Sequence, residues 1–218
     1  MTSTTSFIKP LALAALLAVA STSQAAITVY TSQASFAAAT SAPGVDTYTG
    51  LSITEATPSP LTRSAGAYAY TATASTTSFF GAGTTANPWL STNTATDTVT
   101  LSSFSTGVQA VGGNFFGSDL SGLFKTGNIT LTATDAFGSV TQTIVGASVS
   151  SFLGFVSTSA MTSLTVASVQ PTVGFLWPTL DNLTLAKNAV APIPEPETYA
   201  LMLAGLAATA FVARRRRA

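Results

Sequence analysis

The stretch NITLTATDAFGSVTQTIV, residues 128–145, indicates the fold of the chain most directly. Its apolar residues Ile129, Leu131 and Ala133 alternate with polar ones, which is the period of a strand with one buried face. The sequence DAFG at 135–138 is a turn signal, and a second alternating run follows it. The stretch therefore predicts an antiparallel β-hairpin.

Short runs of the same kind lie on both sides of this hairpin and are separated by turn residues. The predicted strands outside the hairpin cover 27–30, 45–51, 67–73, 97–102, 108–116, 152–156, 164–169, 173–177 and 183–186, with loops at 57–64 and 81–93. The Gly112-Gly113 pair predicts a bulge or bend in its strand. A series of about ten or eleven short strands predicts an all-β fold, an antiparallel β-sandwich that is jelly-roll-like.

One short helix is expected near the start of this domain. Ser32 is placed to cap a helix at 33–40, and Phe36 on that helix faces the core. Between 41 and 188 no run has a convincing helical period. The domain is therefore predicted to be a β-sandwich with a single short N-terminal helix.

Cysteine and histidine are both absent from the chain. This composition excludes disulfides, thiolate nucleophiles, histidine-based triads and nearly all zinc, copper and haem sites. A glycoside hydrolase needs two carboxylates about 5 to 9 Å apart, whereas the acids between 26 and 188 are scattered, mostly beside turn residues. We therefore expect no catalytic residues and no enzymatic activity, with a polysaccharide-active hydrolase as an alternative.

Charge is distributed unevenly along the chain. Residues 26–188 contain three basic and six acidic side chains, a formal net charge of −3, whereas the whole chain is formally neutral because four arginines stand near its end. A mildly acidic domain of this kind has no basic patch for nucleic acid or anionic lipid. We expect no nucleic-acid partner.

The C-terminal stretch PIPEPETYALMLAGLAATAFVARRRRA, residues 192–218, opens with a proline-flanked acid. The prolines of Pro194-Glu195-Pro196 keep the backbone extended, so a helix would begin after them. The following run, 198–213, has no charge. As a helix it would be about 24 Å long, which is short of a hydrocarbon core of roughly 30 Å but sufficient where the bilayer thins. It predicts a transmembrane helix, with a buried core helix as the alternative.

Contiguous arginines follow this run, and they are costly to translocate. They predict a membrane stop, with residues 214–218 as a cytoplasmic tail and the preceding domain on the other side. The arginines concerned are Arg214, Arg215, Arg216 and Arg217.

In this order, the Pro-Glu-Pro triplet, the apolar run and the arginine cluster resemble the PEP-CTERM sorting signal of Gram-negative bacteria. The resemblance implies recognition by an exosortase, a membrane-embedded protease, and cleavage near residues 194–196. It also implies a transient anchor in the inner membrane with the domain on the periplasmic side, followed by delivery to the cell surface or the extracellular matrix.

The N-terminus is consistent with export. Lys9 precedes an apolar run at 11–20, and Ser23 and Ala25 occupy the −3 and −1 positions of a cleavage site. The expected organisation is a cleaved signal peptide at 1–25, a β-sandwich ectodomain at 26–188, a linker at 189–197, the transmembrane helix at 198–213 and the tail at 214–218.

The ectodomain resembles, less specifically, the β-sandwich domains that often precede this sorting tail. The segments that carry the resemblance are 27–40, 152–155, 164–166 and 180–185, the last of which looks like the final strand of lectin-like jelly rolls. What this resemblance implies is a fold, and for function only the alternative of a carbohydrate-binding module.

Four residues are candidates for ligand contacts. Trp89 follows Asn87-Pro88 in a predicted loop, where an exposed ring would stack on a sugar, whereas Trp177 is expected in the core. Asp181, Asp119 and Asp135 are candidates for calcium, with Asp181 the best of them, since carboxylate and backbone oxygens suffice as ligands; turn capping is the commoner role of such acids. No other cofactor is expected.

These observations predict an exported surface or matrix protein whose ectodomain has a structural or interaction role. The alternatives are a lectin-like module for extracellular polysaccharide and a polysaccharide-active hydrolase.

Overall fold

The structure is a computed structural model, and it describes residues 26–189, 201–207 and 209. Residues 26–189 contain one helix, α1 (Gln33–Ala38), and sixteen strands. The strands are β1 (Ile27–Tyr30), β2 (Thr40–Asp46), β3 (Ala56–Thr57), β4 (Leu61–Ala65), β5 (Tyr68–Ala74), β6 (Phe79–Phe80), β7 (Ala82–Thr84), β8 (Asn87–Ser91), β9 (Val99–Ser102), β10 (Ala110–Ser118), β11 (Phe124–Lys125), β12 (Gly127–Asp135), β13 (Ser139–Ala147), β14 (Phe152–Ser157), β15 (Met161–Val169) and β16 (Trp177–Asn188).

The strands form two large antiparallel sheets and one small one. The first sheet has the order β1-β14-β10-β16-β8-β7, with β11 beside β10 and β2 beside β16. The second has the order β13-β12-β15-β9-β5-β4, and β3 pairs with β6 alone. All described strand pairs are antiparallel. The prediction of an antiparallel β fold is confirmed.

The core lies between the two large sheets. One cluster of buried apolar side chains joins them, with Phe115 and Leu183 from the first sheet and Leu131 and Leu164 from the second. The alternation expected around residue 131 is observed, because β12 has a buried residue at every second position from Ile129. Burial of these side chains is the main stabilising contribution to the domain.

The helix α1 covers the opposite face of the first sheet. Its Phe36 is buried with Ala110, Val156 and Ala186, which form a separate small cluster. The helix and its buried phenylalanine were therefore predicted correctly, although it ends at Ala38 and not at residue 40, since the next strand begins there. Ser32 occupies the N-cap position, but its side chain makes no capping hydrogen bond.

The central hairpin and the bulge are as predicted. Strands β12 and β13 pair across the turn at 136–138, and the register between β10 and β16 shifts between Gly112 and Asn114. Three local predictions outside residues 81–93 are wrong. The loop at 57–64 contains β3 and β4 because both prolines fit in the connection between them, and the strand at 45–51 lies earlier, at Thr40–Asp46.

The third error concerns residues 173–177, which form a loop that ends where β16 begins. Gly174 turns the chain there with a φ of +78°, a conformation that favours glycine. The final strand then runs from Trp177 to Asn188, much longer than the predicted 183–186. Strands of two or three residues account for most of the difference between sixteen strands and the predicted number.

Residues 201–207 belong to a unit separate from residues 25–191. They are helical, and the side chains of Leu201, Met202, Leu203 and Leu206 are exposed. Among the helices of the described residues, none combines the length and the hydropathy needed to cross a membrane.

Candidate functional site

The sorting motif and the terminal signals lie mostly outside the described residues. This holds for Pro194-Glu195-Pro196, for the arginines at 214–217, for the predicted signal peptide at 1–25 and for most of the predicted linker. Of the predicted transmembrane run, only 201–207 and 209 are described, and they are helical as expected. The sites that can be described in atomic detail are therefore in the ectodomain.

Trp89 does not lie in a loop. Residues 81–93 contain the short hairpin of β7 and β8, and Trp89 pairs with Ala82 within it. Its half-buried ring packs edge-on against Phe116 at a centroid distance of 4.9 Å. A Cβ atom on Gly83 would lie 2.9 Å from Cδ2 of the indole, so the glycine backbone covers part of the ring. The glycan contact at Trp89 stays a prediction, but one for a partly covered ring.

Asp181 lies within β16 and is buried. Its carboxylate accepts hydrogen bonds from the backbone N–H of Asn182 at 2.7 Å and from Nδ2 of the same residue at 3.0 Å. Burial raises the pKa of the Asp181 carboxyl, because the charged form is poorly solvated there. Within the part of the chain that the structure describes, no three acidic side chains come together as metal ligands. Calcium at Asp181 stays a prediction that depends on backbone oxygens.

Asp119 and Asp135, the weaker calcium candidates, both act as turn caps. Oδ1 of Asp119 accepts the backbone N–H groups of Ser121 and Leu123 at 2.9 and 3.0 Å. Oδ1 of Asp135 accepts those of Phe137 and Gly138. Its other oxygen accepts a 2.7 Å bond from the hydroxyl of Ser157, so this acid also links β12 to β14 in the opposite sheet.

A buried ion pair was missed by sequence analysis. Nε of Arg63 lies 2.7 Å from Oδ2 of Asp46, and its Nη2 lies 2.8 Å from Oδ1. The Tyr70 hydroxyl donates to Oδ2 at 2.7 Å, and the Tyr48 backbone N–H donates to Oδ1 at 2.8 Å. The available signal was that Arg63 is the only arginine between 26 and 188, and a lone arginine in a strand-rich segment needs a partner.

Burial acts to raise the pKa of Asp46, but the hydrogen bonds from Arg63 and Tyr70 outweigh it and hold the pKa below its ordinary value. Each carboxylate oxygen already accepts two hydrogen bonds. The cluster is therefore arranged to hold β2, β4 and β5 together, and it offers no free oxygen for proton transfer to a ligand.

A small cleft at one end of the sandwich brings an aromatic ring next to polar side chains. It encloses about 160 Å³ and is lined by Trp177, Asp119, Asn93 and Leu120, among others. Trp177 is half-buried and, unlike Trp89, is not among the side chains that pack against the main core, so its expected place in the core is not observed. Beside it Phe175 is 59% exposed, and the two rings lie edge-to-face at 6.2 Å.

Hydrogen bonds to β16 hold two serines that line this cleft, Ser118 and Ser91. Thr179 donates to the hydroxyl of Ser118 at 2.8 Å, and Ser91 donates to the carbonyl of Pro178 at 3.1 Å. Oδ2 of Asp119 accepts no hydrogen bond from the described residues, since both of its bonds go to Oδ1. An aromatic face beside free carboxylate and amide groups has the chemistry that binds a sugar ring.

Residues 192–217 match the family model that describes the PEP-CTERM protein-sorting motif. The match covers the Pro-Glu-Pro triplet, the apolar run and the arginine cluster, so the predicted sorting motif is confirmed. Comparison of the chain with curated proteins and with solved structures gives no significant match.

Proposed function

We propose that the PEP-CTERM sorting motif at residues 192–217 directs an exported, non-enzymatic β-sandwich protein to the cell surface or the extracellular matrix, after cleavage by an exosortase near Pro194-Glu195-Pro196. The observation that carries this proposal is the motif match itself, because its three parts stand in the order that such a signal requires.

The route includes a transient membrane stage. A signal peptide at 1–25 starts export, residues 198–213 hold the chain in the inner membrane, and the arginines at 214–217 stay in the cytoplasm. The ectodomain is then periplasmic until it is cut from the tail. The helical conformation of residues 201–207 supports the anchor.

For the ectodomain we propose a structural role on a jelly-roll-like scaffold. Most connections between long strands support this topology, since the chain crosses from one sheet to the other at β9–β10, β13–β14, β14–β15 and β15–β16, whereas β12 and β13 form a hairpin within the second sheet. The acids also support a role without catalysis. Asp46, Asp97 and Asp135 each have both carboxylate oxygens engaged by hydrogen bonds within the domain.

The sorting proposal predicts that Glu195→Ala blocks processing. In its host, the variant should keep its C-terminal tail and stay with the membrane, whereas the native protein is shortened and leaves it. Intact mass and membrane fractionation measure both outcomes. The matched control is Glu197→Ala, which removes an acid two residues away and leaves the triplet intact. Normal cleavage and delivery of the Glu195→Ala protein would contradict the proposal.

A second candidate function is glycan binding at the Trp177 cleft. It is favoured by one observation: the half-buried indole of Trp177, which packs edge-to-face with Phe175, lines the same cleft as Asp119 and the exposed Asn93. The ligand would be the host's extracellular polysaccharide, and binding would not require turnover. This site differs from the one expected at Trp89.

If the cleft binds a glycan, Trp177→Ala should weaken binding about two- to thirteenfold, taking for ring–sugar stacking the about 0.5–1.5 kcal/mol that an aromatic pair contributes. Trp177→Phe keeps an aromatic face and should retain most of the affinity. The measurement is a glycan array with and without calcium, followed by titration. Loss of binding in Trp89→Ala but not in Trp177→Ala would place the site at Trp89, and loss only on calcium removal would point to Asp181.

A further inference from the structure

We propose that the exposed edge of β13 pairs with the same edge of a second copy of this chain, and that this strand pairing is how the ectodomain builds or joins a matrix. The inference rests on the structural role proposed above. It specifies the partner, a second copy, and the register, in which Gln142 of one copy lies opposite Gln142 of the other.

Strand β13 is the last strand of the second sheet and, among the described strands, pairs only with β12. It is nine residues long, of which residues 139–144 pair in regular register before a bulge, and most of its side chains are exposed, including Val145 at 79%. Such an edge presents unpaired backbone donors and acceptors to solvent. Residues 139–144 are therefore long enough to accept a partner strand.

The backbone groups that face outward can be identified from the hairpin. The N–H of Asp135 donates to the carbonyl of Gly138 at 2.9 Å, which makes these residues a hydrogen-bonded pair. Because such pairs alternate along an antiparallel ladder, Gln142 also bonds to β12, whereas Thr141 and Thr143 do not. The N–H and C=O groups of these two threonines therefore point to the free edge.

Side-chain distances support this assignment. The hydroxyls of Thr141 and Thr143 lie 2.9 and 3.0 Å from those of Thr132 and Thr130 on β12. Side chains approach more closely in the non-hydrogen-bonded pairs of an antiparallel ladder. The N–H of Gly146 donates to Oδ1 of Asn128 within the bulge, where the regular pairing of 139–144 has ended.

The regular segment of β13, residues 139–144, lacks the usual protection of an exposed edge, and the bulge of this strand lies beyond it, between Ile144 and Ala147. Proteins block such edges with charged side chains, proline, a bulge or a very short strand. Residues 136–180 carry no charged side chain, and β13 contains no proline. At the other end of the same sheet, β4 carries Arg63, which is bound to Asp46 of β2. Of the two edges of this sheet, only β13 lacks a charge.

A groove beside the edge leaves room for the partner's side chains. It encloses about 530 Å³ between β13, residues 31–33 and residues 148–153. Its lining is neutral and largely amide and hydroxyl, and it includes Gln142 from β13 and Gln33 from α1. Two copies with this neutral surface approach without charge repulsion.

The register follows from two-fold symmetry. If Thr141 of one copy bonds to Thr143 of the other, the outward-pointing groups of both strands meet, and Gln142 faces its own counterpart. The two Gln142 amides can then hydrogen-bond to each other, since neither has a partner within the described residues. The two six-stranded sheets would join into one continuous sheet.

The register can be tested in the full-length chain, because the native sequence has no cysteine. Gln142→Cys, purified in mild detergent and oxidised gently, should form a disulfide-linked dimer, since directly opposite non-hydrogen-bonded positions bring Cβ atoms about 4.5–5.5 Å apart. The control is Thr28→Cys on β1, the edge strand of the other sheet, which should stay monomeric. Equal cross-linking of both variants, or no cross-linking of the Gln142→Cys protein, would overturn the proposal.

The hydrogen bonds are tested by Thr143→Pro, which removes an outward N–H but no bond to β12. Sedimentation should give a dimer dissociation constant at least tenfold higher than that of the native chain, and Thr143→Val, which keeps the N–H, should dimerise normally. Circular dichroism and thermal unfolding verify folding. A Thr143→Pro protein that is folded and fully dimeric would contradict the pairing.

Localisation in the host separates this proposal from the one it rests on. Native protein found free in the medium would refute the matrix role. If native protein and folded, monomeric Thr143→Pro protein were retained equally, the matrix role would stand and β13 pairing would be excluded as its cause. If only the Thr143→Pro protein were lost from the surface or matrix, the result would support both the matrix role and the pairing through β13.

Discussion

Replacing Asp46 with asparagine should lower the free energy of unfolding by about 3 to 5 kcal/mol, because it leaves Arg63 without its counter-charge in a largely buried position. The side chains of Arg63 and Asp46 are only 17% and 4% exposed. Both oxygens of Asp46 accept hydrogen bonds, including those from Arg63 and Tyr70, whereas an asparagine side chain has only one oxygen that can accept. One set of donors would therefore lose its acceptor. Denaturant unfolding followed by circular dichroism measures the change.

The control is Glu55→Gln, since Glu55 is exposed and its side chain makes no hydrogen bond within the described residues. This change should alter the free energy of unfolding by less than about 0.5 kcal/mol. If both variants were equally stable, the ion pair would contribute nothing, and the cluster would not have the role assigned to it.

Acid should lower the stability of the folded domain through Asp46 and, at a separate site, through Asp97. The pKa values of Asp46 and Asp97 are lower in the folded state than their ordinary values, since hydrogen bonds to each carboxylate outweigh its burial. Their contribution is therefore present above the ordinary value of 3.8 and is lost as the pH falls through the lower folded pKa. Asp181, whose pKa burial raises, acts in the opposite direction. The stability of Asp46→Asn should fall less steeply in acid than that of the native chain.

Sequence alone predicted the features that depend on near neighbours. The hairpin of β12 and β13 could be found because its alternation and its turn signal lie within one stretch of sequence. The Phe36 helix was found for the same reason, since its apolar residue and its boundaries are local. The sorting motif also needed only the order of three adjacent segments.

Features that depend on distant pairing could not be predicted in this way. Asp46 and Arg63 are 17 residues apart and meet only because β2 and β4 lie next to each other. The cleft at Trp177 is formed by four separate segments of the chain, so no local pattern favoured this ring over Trp89. Very short strands such as β3 and β6 have no period to detect, because their pairing comes from the surrounding fold.

The contact between Phe36 and Gly154 explains why a short helix with one phenylalanine precedes a sheet that contains the sequence FLGF. A Cβ atom on Gly154 would lie 2.4 Å from Cδ2 of the Phe36 ring, so only glycine leaves space for it. The ring also packs against Phe152 and Tyr30 at centroid distances of 5.5 and 6.3 Å. Phe36→Ala should therefore cost about 3 to 5 kcal/mol of unfolding free energy, and Gly154→Ala about 1 to 3 kcal/mol through overpacking.

The double variant distinguishes this contact from two unrelated effects. Removing the ring also removes the clash, so Phe36→Ala with Gly154→Ala should be more stable than the sum of the single changes implies, by about 1 kcal/mol or more. Gly138→Ala is the control, because a Cβ there meets no atom within 4 Å, and it should be nearly neutral. If the two changes in unfolding free energy were strictly additive, the Phe36 ring would not be the reason that position 154 requires glycine. Coupling would mean that the helix is held to the sheet by this ring and the space beneath it.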